Sequence, residues 1–192
     1  MASFRVFSPN VEVNGITVLS VVAGMLAKEL AFEILGYHGI SDIRADSWFS
    51  QQSWLNAFKE ISQSVGPLAL FSIGKRIPDN ADWPANINSI DTALPSIDVA
   101  YHMNHRINGI VMCDPATGNM LEGIGHYLAV KSSDREMKVI CDNPYPCQFD
   151  RGIVLSAAEK FKAAGTIVTL VEDAADGCRA HGGKACTFVV RW

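Results

Sequence analysis

Cys178-Arg-Ala-His-Gly-Gly-Lys-Ala-Cys186, running on into Thr187-Phe-Val-Val-Arg-Trp192, is the stretch that decides the fold. Residues 187–192 are β-branched and aromatic, and so are residues 166–171; two such runs suit adjacent antiparallel strands. Between them Gly182-Gly183 permits a turn with positive φ, which brings Cys178 and Cys186 back toward one point. Working backward, residues 151–163 place Ile153, Ala157, Ala158 and Phe161 on one side of a helix. Residues 136–141 read as a strand, and residues 120–131 as broadly strand-like. Asp114-Pro115-Ala116-Thr117-Gly118-Asn119 is dense in turn residues and sets these strands off from the short apolar run at 110–113.

The first half has a different period. After an extended start, Ile16, Leu19, Val22, Ala23, Leu26, Leu30 and Ile34 recur at helical steps, and Gly36 and Gly39 stop that helix. Ser50 or Ser53 caps a second helix that carries Trp54, Leu55, Phe58, Ile61 and Val65. Gly66 breaks it, and Pro67 opens a third helix that runs to Ile77. Residues 78–89 read as a polar loop. A fourth helix after Ser89 carries Ile97, Tyr101 and His105, with Pro95 limiting its start. The pattern is α+β: one domain over residues 1–192, with a helical half (1–106) packed on an antiparallel sheet plus one helix (107–192).

Composition removes several functions. Sixteen Lys and Arg against 20 Asp and Glu give a net charge of −4, which argues against a nucleic-acid platform. With 48% hydrophobic and 19% charged residues, the chain can bury a sizeable core. Its longest uncharged apolar run, residues 15–27, falls short of the roughly 20 residues that span a bilayer. No secretion signal is evident, so the expected address is cytoplasmic.

The five cysteines, Cys113, Cys141, Cys147, Cys178 and Cys186, all lie beyond the midpoint. An odd count without a secretion signal argues against a disulfide framework. Cys113 reads as a small buried hydrophobe. Cys141 ends a strand, and Cys147 sits just before a helix starting near Phe149 or Asp150, where the helix dipole favours a thiolate. Four thiolates from Cys141, Cys147, Cys178 and Cys186 would make a closed, structural tetrahedral zinc site.

The pattern Cys178-x-x-x-Gly182-x-x-x-Cys186 before a terminal strand, with Cys147-x-x-x-x-Gly152 opening the preceding helix, resembles the 4-vinyl reductase-type small-molecule-binding domain over roughly residues 90–192. That resemblance implies an α+β fold shared with TRAPP vesicle-transport subunits and, distantly, with haem-based nitric-oxide sensors. Phenol-sensing regulators of this kind hold zinc by three cysteines and a glutamate; Cys147, Cys178 and Cys186 match the cysteines. The glutamate has no counterpart at the expected separation. His126 lies nearest that offset, Glu122 shares its predicted strand, and Cys141 is the better chemical candidate.

Tyr101-His102-Met103-Asn104-His105-Arg106 is the densest polar cluster, with Asp98 one turn before His102. It could ligate a metal or orient a haem, or simply complement a helix C-terminus. The Tyr-x-Ser-x-Arg motif of the haem sensors is absent from the sequence. Trp54, Phe58 and Phe71, with Tyr101, His102 and His105 as polar anchors, are the candidate pocket residues. No nucleophile elbow, metalloprotease helix or P-loop occurs, so no catalytic residue is named. The expectation is therefore a zinc-containing sensory domain that binds a small apolar or aromatic ligand and forms a homodimer through its helical half. The alternatives are a reductase-like enzyme acting on a tetrapyrrole or aromatic substrate, a haem-binding gas sensor, and a protein-interaction module. Zinc is the expected cofactor and haem the alternative one.

Overall fold

A computed structural model describes residues 4–25, 28–173 and 177–192. Strand β1 (Val11–Asn14) leads directly into α1 (Gly15–Gly24), because the Asn14 side chain caps that helix and accepts the Thr17 N–H at 3.0 Å. There follow α2 (Lys28–Tyr37), the short strand β2 (Trp48–Ser50), α3 (Gln51–Ser64), α4 (Pro67–Asn80) and α5 (Ile90–Met103). Ser50 caps α3, and Pro67 is the first residue of α4. The second half runs β3 (His105–Ile107), β4 (Ile110–Val111), β5 (His126–Ser133), β6 (Glu136–Asp142), α6 (Cys147–Lys160), β7 (Thr169–Glu172), a 3-10 turn (Arg179–His181) and β8 (Cys186–Arg191).

The α+β class is as the sequence implies. The large sheet has the order β5-β6-β8-β7, with every neighbouring pair antiparallel. Its last two strands are the runs that opened the sequence analysis, in register from Thr169 opposite Arg191 to Glu172 opposite Phe188. A second antiparallel sheet, β2-β1-β3-β4, joins strands from both halves. Its strands have two to four residues, too short for an alternating pattern to stand out.

Four boundaries differ from expectation. The first long helix is two helices: Met25 turns extended (φ −92°, ψ 139°) and closes α1, while Leu26 and Ala27 lie outside the described residues. Pro95 does not limit the start of α5; it sits inside, five residues past Ile90, and removes only one ladder hydrogen bond. His105 is not on the helix but opens β3, because Asn104 leaves the helical region at φ −91°, ψ 6°. Helix α6 begins at Cys147 itself.

Helices α4 and α6 cross at two glycines. A Cβ on Gly74 would collide with the Phe149 carbonyl, and one on Gly152 with the Phe71 carbonyl. The missing side chains let the two backbones touch, and that contact fixes where α6 presents Phe149 and Ile153. The core is continuous through both halves, from Val13, Leu35 and Trp54 to Val139, Phe188 and Val190.

Candidate functional site

A cavity of about 90 Å³ lies where the C-terminal ends of α4 and α5 meet α6. Tyr101, His105, Tyr127, Tyr145 and Phe149 form its aromatic wall, while Ile97 and Ile153 add aliphatic surface. Thr17 and Asn104 are polar members of the lining.

One chain of hydrogen bonds orients the wall. The His105 ring faces the Tyr101 carbonyl through Nδ1 at 2.7 Å, and a carbonyl can only accept, so Nδ1 carries the proton. Nε2 is then the acceptor for the Tyr145 hydroxyl at 2.8 Å. The Gln51 amide stands 3.5 Å behind that hydroxyl. Burial of His105 pushes its pKa down to about 4, against the weaker upward pull of the Tyr101 carbonyl, so the ring is neutral at pH 7.

Tyr127 links this wall to a buried charge pair. Its hydroxyl donates to Asp150 Oδ1 at 2.6 Å, and Asp150 pairs with the Arg179 guanidinium, itself held to Asn143 Oδ1 at 2.9 Å. Asp150 is completely buried and Arg179 nearly so. Burial raises the Asp150 carboxyl to about 6 despite the opposing Arg179 charge, and that charge pair in turn raises Arg179 against its own desolvation. At neutral pH both remain ionised, as a buried pair must to satisfy each other.

Three of the four expected thiols converge. Cys147 at the start of α6, Cys178 ahead of the 3-10 turn and Cys186 at the start of β8 have Sγ separations of 2.8 Å (147 to 186), 3.4 Å (178 to 186) and 3.5 Å (178 to 147). Gly182 makes the turn with φ +90°, and Gly183 lies so close to Cys178 that a Cβ there would press on its backbone. Cys141 is Cα-paired with Cys186 across the sheet, yet its sulfur does not join the three atoms that lie within 4.8 Å. The contact with Cys147 and the Arg179 N–H at 3.4 Å hold the Cys186 thiol below its ordinary range, while the same contact and burial raise Cys147.

The candidate pocket residues divide. Tyr101 and His105 line the cavity. His102 is fully buried but faces His126, its ring 4.9 Å from that imidazole. Trp54 and Phe58 pack on each other at 4.7 Å and stand behind Tyr145 and Phe149 as core. Phe71 is half-buried, with the Lys75 and Arg151 cations 6.0 and 5.9 Å from its ring. His126 and Glu122, the other candidates for the zinc site, contact each other and Asp98 instead of the thiols. Tyr145 and Tyr127 were missed. The only hint was the two-proline loop around Tyr145, whose rigidity fits a residue that must hold one position.

No family model matches the chain, and no curated protein matches it. Solved structures do. An H-NOX protein from S. oneidensis in the Fe(II)NO ligation state is 12% identical, with a TM-score of 0.65 over 93% of this chain and 98% of that one. An Fe(II) unliganded H-NOX protein from K. algicida is 10% identical, with a TM-score of 0.61 over 93% and 95%. A structure described as modulating haem redox potential through porphyrin distortion is 12% identical, with a TM-score of 0.60 over 93% and 97%. These neighbours are iron and haem proteins by their own descriptions, which overturns the expectation that put zinc first as cofactor and haem second. At such identities the likeness is one of fold, and the fold of this chain is that of the H-NOX domains.

Proposed function

We propose that this chain is a small-molecule sensory domain that takes an apolar ligand directly in the cavity beside His105. The observation that carries the reading is that cavity: an aromatic wall with one neutral, oriented histidine, in a fold shared with solved H-NOX proteins, one of them described in an NO-ligated state. Its 90 Å³ is below the few hundred Å³ of drug-sized sites. It suits a molecule between a diatomic gas and a single ring, since a benzene-binding cavity measures about 150 Å³.

The haem of the solved neighbours can be tested against these residues. His105 has the Nδ1–H on a carbonyl that an axial ligand uses, but its Nε2 lone pair already accepts the Tyr145 hydroxyl. Space and charge do not agree with haem either: the cavity is far smaller than a porphyrin, and among the described residues no Lys or Arg lines it to meet the two propionates. The residues therefore do not fit a resident haem.

Absorption spectroscopy of the purified protein, followed by an NMR titration with xenon, tests the proposal. The expected result is no Soret band and xenon-induced shifts centred on Tyr101, His105 and Tyr145, weakened in His105→Ala. A Soret band would replace this reading with the haem sensor, and no band together with no shifts would favour the interaction module.

The three convergent thiols are proposed as one ligating set that ties the start of α6 to β8, with no ion assigned to it. Thiol-reactive dye should then label the native protein only after chelator treatment; equal labelling without chelator would remove the proposal. Homodimerisation is likewise proposed, through exposed Ile16, Leu19, Leu30 and Phe32 of α1 and α2. A monomer mass by light scattering at micromolar concentration would overturn it.

A further inference from the structure

Asp98 and His102, one turn apart on α5, meet His126, the first residue of β5, and one ligand atom from each lies within 4.8 Å of the other two. None of the three lines the cavity or belongs to the thiol set. His126 Nδ1 stands 3.0 Å from Asp98 Oδ2. That is the separation of two ligands at right angles on an ion with bonds of about 2.1 Å.

Both imidazoles already have the outer partners that metal-bound histidines use. His102 Nδ1 lies 2.9 Å from the Asp98 carbonyl, which can only accept, so Nδ1 carries the proton. The Nε2 lone pair of the neutral ring is then left buried and without a partner. A buried polar atom with no partner is rare enough in a folded protein to need a reason. On His126 the Glu122 carboxylate takes Nε2 at 3.1 Å, leaving Nδ1 for Asp98. Asp98 is itself fixed, because its other oxygen accepts the Tyr127 N–H at 2.8 Å.

We infer that Asp98, His102 and His126 form a divalent-cation site, with Glu122 orienting His126 from outside. The ion takes the place of the proton shared between His126 Nδ1 and Asp98 Oδ2. Two imidazoles and one carboxylate, with further coordination positions left to water, suit Mn(II) or Fe(II) better than the softer ions that thiolates select. Glu122 is 81% exposed and His126 36%, so the ion enters from solvent while His102 closes the inner wall. The site is independent of what the cavity holds.

Mn(II) is the probe, because its free aquo ion gives an EPR signal that disappears on binding. Titration of the purified, chelator-treated chain should remove one equivalent of signal per chain. His126→Ala should abolish the uptake, and Glu122→Gln should weaken it about tenfold, the usual scale for an outer-shell partner. Cys147→Ser should leave it unchanged. Undiminished signal at millimolar protein, or uptake that both His126→Ala and Glu122→Gln retain, would overturn the site. So would uptake lost in Cys147→Ser, which would give the ion to the thiols. Glu122 is exposed enough that its variant keeps the test decisive should His126→Ala fail to fold.

Discussion

His105 shows how one residue's surroundings set its chemistry. Free histidine titrates near 6.5, but burial takes this ring to about 4, so the unfolded chain gains its proton first as pH falls. The stabilisation is complete above pH 6.5 and is lost progressively between 6.5 and 4, by about 3 kcal/mol in all. Asp150 works in the opposite sense between its unfolded value near 3.8 and its folded value near 6, because there the folded state holds the extra proton. The two partly cancel in the native protein. The informative measurement is therefore the difference between native protein and His105→Gln in urea-unfolding free energy across pH 4 to 7. The difference should shrink by about 3 kcal/mol from the neutral to the acid end, and a flat difference would mean His105 is not held neutral.

Among the elements, the α4–α6 crossing is the one on which the cavity depends. Both chains approach at Gly74 and Gly152, each facing the other helix's carbonyl, so neither helix can yield without moving the whole contact. Gly152→Ala should push α6 away from α4 and cost about 3 kcal/mol, at the upper end for overpacked cores. Thermal unfolding measures the loss, and the displaced Phe149 and Ile153 should also diminish xenon binding. Gly182→Ala acts by another route: nothing crowds a Cβ there, but φ +90° strains any side chain. Its signal in the sequence was visible as a glycine pair between strands. That of Gly152 was not, because what excludes a side chain there is a carbonyl on a helix far away in sequence.

For the molecule as a whole, the Asp150–Arg179 pair is the principal polar tie between α6 and the turn that feeds β8. Tyr127 of β5 and Asn143 complete it, so four separate segments share one buried charge pair. Arg179→Met should destabilise the protein by about 3–5 kcal/mol, because it leaves the Asp150 carboxylate buried without its cation. Asp150→Asn with Arg179→Met together should recover part of that loss. A single-variant melting temperature equal to the native one would show the pair to be dispensable.

What the sequence determined by itself was local. The periods of the apolar residues, the caps at Ser50 and Pro67, and the β-branched runs at 166–171 and 187–192 predicted α+β and the antiparallel partnership of β7 and β8. The convergence of Cys178 and Cys186 was legible too, because eight residues with a glycine turn constrain their own geometry. Tertiary structure alone decided which side chains share a space. His102 and His105 are three residues apart, yet one faces His126 and the other the cavity, since the helix ends at Asn104 between them. Cys141 lies opposite Cys186 on the neighbouring strand and still misses the thiol cluster, because backbone pairing does not bring its sulfur to the turn. Tyr145 and Arg179 drew no attention in sequence because their side chains acquire their roles from partners 29 to 94 residues away. Burial and hydrogen bonding across such separations depend on the packed whole, and no local pattern records them.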